Sequence, residues 1–160
     1  MGRNAGVLIL GTMPGAESLR KNRYYANPHN AFWFIIGRLL RREIEPLSYI
    51  EKARVLKANN IALWDVIKSC EREGSLDSSI VGGSITVNDF AAWYSKHRTI
   101  KRVFFNGAGA EKEYKKRVLP FLPDRFGYIR YLKLPSTSPA MAKLTREAKL
   151  AAWSAITDKF

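Results

Sequence analysis

The chain is poor in cysteine, histidine and acid. Its 160 residues hold one cysteine, Cys70, and two histidines, His29 and His97. One thiol cannot close an internal disulfide, so nothing points to an oxidising compartment. It also excludes an iron–sulfur cluster built on several cysteines of this chain, and thiols and imidazoles this few and scattered form no metal-ligand set. No apolar run approaches the ~20 residues that span a bilayer, and Met1 leads almost at once into an apolar run, leaving no room for a signal peptide. No Gly-rich phosphate loop with its lysine and no credible Ser-His-Asp arrangement is present. No lysine stands out as an amine nucleophile. The expectation is a cytoplasmic protein with no membrane segment, no metal and no cofactor.

What is there is base. Lys and Arg total 27 against 14 Asp and Glu, a net charge of +13 with a pI near 10.1. An excess this large points to a polyanionic partner, with nucleic acid ahead of a membrane surface. A generally cationic soluble protein is the bland alternative. The hydrophobic fraction of 46% and aromatic fraction of 12% are enough for a real core, so residues 1–160 are expected to form one domain.

Short apolar runs at 7–10, 61–64, 102–105 and 128–134 read as strands. Their hydrophobicity is continuous rather than alternating, as in a parallel sheet covered on both faces. Between them the spacing predicts helices. Residues 31–42 place Phe32, Ile35, Ile36, Leu39 and Leu40 on one stripe, Asn88 reads as the N-cap of 89–97, residues 110–118 end at Pro120, and Thr145 caps a last helix carrying Leu150, Trp153 and Ile156. Segment 73–87, rich in Gly and Ser, reads as an irregular surface excursion. The alternation predicts a three-layer α/β/α sandwich around a four-stranded parallel sheet. The strands run out into Gly11, Asp65, Asn106-Gly107 and the loop 134–140, on the one sheet edge where such folds build their sites.

The segments at those ends are GTMPG (11–15), YYANPHNAFW (24–33), ALWDVIKSCEREGSLDSSI (62–80) and LPSTSPA (134–140). Together they resemble the uracil-DNA glycosylase superfamily: a Gly-x-x-Pro loop after the first strand, an Asn-x-Phe-Trp segment opening the next helix, and a Ser-x-Ser-Pro loop after the last strand. Within it the likeness is closest to the hypoxanthine- (deoxyinosine-) DNA glycosylase branch, and next to the mismatch-specific uracil/thymine glycosylases. The resemblance implies a uracil-DNA glycosylase-like fold. It also implies a monofunctional base-excision enzyme acting on double-stranded DNA that carries deaminated bases, as a monomer. A catalytically silent binder of damaged DNA is the alternative from a different class.

Cleaving an N-glycosidic bond passes through an oxocarbenium-like sugar, so the site needs a base pocket, a water held at C1′ and donors for the departing base. Most superfamily members resemble one another in an Asp, Asn or Glu just before the first-loop Pro. Here Met13 stands there, and a thioether can neither take a proton nor orient water. The resemblance moves that role to Asn30; the alternative is that Asn30 simply caps the following helix. Base contacts are implied for Gly11, Thr12, Met13, Tyr25, Phe32 and Asp65. Phe32 would stack on the extruded base or else be a core residue. Asp65 would read its polar edge or else cap a turn, and Asn106 is explained as well by a turn with Gly107. Asn27 replaces the His of the branch's His-Pro-x-Asn pattern. In the last loop Ser136 replaces a His, and Ala140 with Met141 forms a small wedge. DNA contacts are implied for Ser136, Thr137, Ser138, Ala140, Met141 and Lys143, with phosphate contacts from Arg20, Lys21, Arg23 and Arg146.

Overall fold

The computed structural model describes residues 4–157. In chain order its elements are β1 (Val7–Gly11), α1 (Ala16–Lys21), α2 (Phe32–Leu39), α3 (Tyr49–Ala58), β2 (Ile61–Asp65), β3 (Ile67–Ser69), β4 (Thr86–Val87), α4 (Phe90–Lys96), β5 (Arg102–Asn106), α5 (Ala108–Arg117), β6 (Arg130–Leu134) and α6 (Arg146–Trp153). A four-stranded sheet of order β2-β1-β5-β6 is parallel throughout. The predicted α/β fold with a four-stranded parallel sheet is therefore present. β1 lies in its interior, with Leu8, Ile9 and Leu10 fully buried.

Alternate side chains of these strands feed two cores. On one face Leu8, Leu10, Val103 and Phe105 pack with Phe90 and Tyr94 of α4 and Tyr114 of α5. On the other, Val7, Ile9 and Phe104 pack with Phe32, Ile35 and Ile36 of α2, Val55 and Leu56 of α3, and Trp153 of α6. These are the three expected layers. All the β-strand C-terminal ends of the parallel sheet fall on one edge, as they must when every strand runs the same way.

Several boundaries differ from expectation for local reasons. α2 stops at Leu39 because the chain reverses: Arg41 adopts a left-handed φ of 52° and Arg42 N–H closes on Gly37 O at 2.9 Å. α4 is capped by Asp89, whose carboxylate accepts from Ala92 N–H, while Asn88 turns its amide onto Asp65 O at 2.9 Å. Thr145 does cap α6. α3 escaped the helical pattern, although Ser48 and Glu51 form a complete capping box in front of it. β6 is an edge strand. Tyr128 precedes it, Arg130 and Lys133 are exposed, and Leu132 is 47% exposed, so this strand is not covered on both faces. Segment 73–87 is no irregular excursion: it holds two single-turn 3₁₀ segments and β4, which pairs antiparallel with β3.

The last strand and α6 are joined by Trp153, which is fully buried and donates its indole N–H to Pro135 O at 2.9 Å. Trp153→Phe keeps most of the apolar contact and leaves the half-buried Pro135 carbonyl without its donor. Urea unfolding is expected to show a loss of about 2 kcal/mol.

Candidate active site

The strand ends surround a cavity of about 410 Å³. Its wall takes Gly11, Thr12 and Met13 from the end of β1, Tyr24, Tyr25 and Asn30 from the approach to α2, Asp65 from β2, Asn106 from β5, and Ser136, Thr137 and Ser138 from the last loop. The structure thus brings together most of the residues singled out in the sequence.

Asn106 ties these parts to one another. Its amide Nδ2 donates to the Thr137 hydroxyl at 2.9 Å and to the Tyr25 hydroxyl at 3.0 Å, while its Oδ1 accepts from Thr137 N–H at 2.9 Å. The residue that turn chemistry explained in the sequence is thereby a clamp. The Thr137 carbonyl in turn accepts from Ala31 N–H at 3.0 Å, fixing the start of α2. Asn30 sits at that start. Its Oδ1 accepts from Phe32 N–H at 3.0 Å, so the carboxamide is held in one orientation on the cavity wall. Ala31 occupies the cap position, and Asn30 tethers the first turn from one residue earlier.

Two expectations need correction. Phe32 does not offer a face to the cavity, because it is fully buried and Tyr25 stacks on it with ring centroids 3.8 Å apart. Tyr25, also expected at the base, does line the cavity, through a left-handed φ of 53° that is costly for an aromatic residue. Thr137 does not present itself to phosphates. It is 1% exposed, with its N–H, hydroxyl and carbonyl all engaged inside the protein. Ser138 N–H and Ala140 N–H are likewise taken, by the hydroxyls of Ser136 and Ser138. On the rim, Ala140 is exposed and Met141 is 39% exposed; Lys143 is exposed and lies outside the cavity lining. Behind this loop the buried Lys149 donates to Ser138 O at 3.4 Å, and burial holds its ammonium below the usual lysine range. Arg20 and Lys21 pair with Glu17 at 2.9 and 2.7 Å, and the Arg146 guanidinium lies over the Phe34 ring.

Asp65 is 7% exposed. Burial pushes its carboxyl up to about 7; the Tyr24 hydroxyl bonded to it pulls down, the charge of Asp77 raises it, and the Arg72 guanidinium lowers it. Burial also keeps the Tyr24 and Tyr25 phenols well above their ordinary range, so both remain protonated donors. Beyond the residues foreseen, Ser75, Leu76 and Asp77 from the 73–87 segment complete the wall with Gly109 of α5. Among the described residues no group of three or more His, Cys, Asp or Glu is placed to hold a metal, and no helix is long and apolar enough to cross a membrane.

The sequence profile of the uracil DNA glycosylase superfamily matches residues 1–157. A hypoxanthine DNA glycosylase of Methanosarcina acetivorans is 37% identical over 153 residues, covering 96% of this chain and 90% of that one. A hypoxanthine DNA glycosylase of Methanosarcina barkeri is 38% identical over 104 residues, 65% of each chain. An NMR solution structure of a Methanosarcina acetivorans protein described as a uracil DNA glycosylase superposes with a TM-score of 0.77 at 32% identity, covering 99% of this chain and 94% of the other.

The Asp65 proton makes folding sensitive to pH. An unfolded Asp releases its proton near pH 4, whereas the native carboxyl holds its own to about 7. Across that window the native state binds more protons, so stability falls as pH rises and levels off above it. Asp65→Asn is expected to remove this dependence and to stabilise the protein at pH 8 by on the order of 2 kcal/mol, with no gain at pH 4. Urea unfolding of both proteins at the two pH values checks it.

Proposed function

The chain belongs to the uracil DNA glycosylase superfamily, and from that premise we propose that it is a monofunctional DNA glycosylase releasing hypoxanthine from deoxyinosine in double-stranded DNA. The observation that carries this reading is a carboxamide, Asn30, fixed on the wall of a cavity whose first loop offers only Met13 where a water-orienting group would stand. The named activity of the two Methanosarcina relatives supports the choice of base.

Asn30 Oδ1 spends one lone pair on Phe32 N–H and keeps the other for a water at C1′. A carboxamide does not deprotonate that water in advance. The C1′–N9 bond therefore breaks ahead of attack, its electron pair leaves with the base, and the water adds to the oxocarbenium sugar and then sheds its proton to solvent. Charge developing on hypoxanthine spreads to O6, where the neutral form of Asp65 has a hydrogen to donate. The Tyr25 ring backs the base, supported by Phe32. The net charge of +13 draws the DNA in, and Ala140 with Met141 is the edge that meets the opened duplex. The cavity is complete within one chain, so the reading needs no second copy.

Duplexes carrying deoxyinosine, deoxyuridine or thymidine opposite each partner base test the substrate. Hypoxanthine release that leaves an uncut abasic site is expected; uracil release without hypoxanthine release refutes the assignment. Asn30→Ala is expected to lower single-turnover excision by about a hundredfold or more, with little change in duplex affinity. Because neutral Asp65 is the useful form, kcat/KM is expected to fall about tenfold per pH unit above about 7, and Asp65→Asn is expected to flatten that limb.

A further inference from the structure

The segment from Cys70 to Val87 is fastened on several sides. β3 and β4 pair at its base; within it Val81 N–H donates to Glu71 O at 2.9 Å and Glu71 N–H to Ser84 Oγ at 2.7 Å. Arg117 of α5 donates to Gly82 O at 2.9 Å. It is also joined to the start of α1, by Ala16 N–H to Ser75 Oγ at 2.9 Å, and to the loop after β1, by Arg72 Nη2 to Pro14 O at 2.6 Å. This frame carries one carboxylate to the cavity wall. Asp77 Oδ2 accepts the Thr12 hydroxyl at 2.6 Å, and no described residue bonds its Oδ1.

Two glycines make room for the cavity's carboxyl groups. A Cβ on Gly109 would lie 2.5 Å from Asp77 Oδ2 and 2.8 Å from Thr12 Oγ1, and a Cβ on Gly11 would lie 2.7 Å from Asp65 Oδ1. Both acids therefore occupy space that any side chain beneath them would deny. Glu17, the third acid on this cavity, is already paired with Arg20 and Lys21; in a protein this basic, the other two carboxyl groups call for a chemical reason.

Base chemistry supplies it. Deamination turns a ring amidine into a lactam: the exocyclic amine becomes a carbonyl, and the neighbouring ring nitrogen exchanges a lone pair for a hydrogen. Adenine presents a lone pair at N1, and hypoxanthine presents N1–H. We propose that Asp77 is a base-reading residue whose carboxylate accepts the ring N–H created by deamination and repels the lone pair of the unaltered base. This deepens the reading above and rests on the cavity receiving a deaminated base. Asp65 completes the pattern by donating to the adjacent carbonyl, so one acid accepts where the lactam donates and the other donates where it accepts. Adenine offers the reverse order and leaves both groups mismatched. Sites that depend on one such hydrogen bond reject the analogue lacking it by large factors.

Single-turnover excision from duplexes carrying deoxyinosine or 1-methyldeoxyinosine tests the assignment, since the methyl replaces the hydrogen in question. In the unaltered protein the methyl is expected to slow release by about a hundredfold or more. Asp77→Ala removes the acceptor and opens space for the methyl. It is expected to lower excision of deoxyinosine at least tenfold while excising the methylated base as fast as deoxyinosine. Gly109→Ala keeps both acids but displaces Asp77, and is expected to reproduce the loss on deoxyinosine. If Asp77→Ala slows both substrates by one factor, Asp77 only braces Thr12 and the proposal is overturned; unchanged excision of deoxyinosine overturns it as well. If the protein releases uracil and no hypoxanthine, the substrate reading fails alone, because uracil and 3-methyluracil then make the same comparison. Duplex affinity by fluorescence anisotropy reads the same contrast without base release.

Discussion

Three hydrogen bonds from one carboxamide hold the site together. Asn106 stands at the end of β5 and binds the Tyr25 hydroxyl on one side and both the N–H and the hydroxyl of Thr137 on the other. Through Thr137 O the constraint passes to Ala31 and so to the first turn of α2, where Asn30 sits. Segments distant in sequence, the aromatic loop, the helix entrance and the last loop, are thereby referred to a single strand end. The bonds lie in a partly buried pocket where water competes poorly, so each is worth more than at a surface and each is costly to leave half made. The strained backbone of Tyr25 belongs to the same economy: its ring is stacked on Phe32 and its hydroxyl is bonded, and together these hold a conformation an aromatic residue otherwise avoids.

Electrostatics works at two ranges. At long range the molecule is a cation, and a polyanion approaching it meets attraction without sequence information. At short range the cavity reverses the sign, with Asp65 and Asp77 on its wall and the Arg72 guanidinium near Asp65. Arg72 Nη1 is buried with no partner among the described residues, while Nη2 is spent on Pro14 O. Its charge reaches Asp65 as a field that favours the ionised carboxylate. On the proposed reading, attraction comes from the surface and discrimination from the pocket.

Much of this was legible in the sequence because strands covered on both faces are encoded by burial alone. β1, β2 and β5 are continuous apolar runs, and their ends name the site's edge. β6 was harder: an edge strand needs one covered face, and Leu132 and Lys133 do not announce which. At the site, Asn30, Met13 and Asp65 stood out by chemistry. Tyr25 was named with Phe32 among the base contacts; that Phe32 lies behind it was not legible, since which ring faces a cavity depends on a left-handed backbone angle that no spacing encodes. Asn106 looked like a turn residue because its two partners, Thr137 and Tyr25, lie 31 and 81 positions away. Segment 73–87 hid its role for the same reason: Gly and Ser mark flexibility locally, and only its bonds to the start of α1, to the loop after β1 and to α5 make it a wall.

The buried carboxyl of Asp65 also couples the protein to its substrate through solution protons. A group that titrates near neutrality in the free protein has its neutral form favoured when negative potential is brought close. Docked DNA brings that potential in its phosphates. Binding therefore draws a proton onto Asp65, and association is linked to proton uptake and is tighter on the acid side of neutrality. Under the proposed reading, the duplex itself helps to set the protonation state in which its altered base is read.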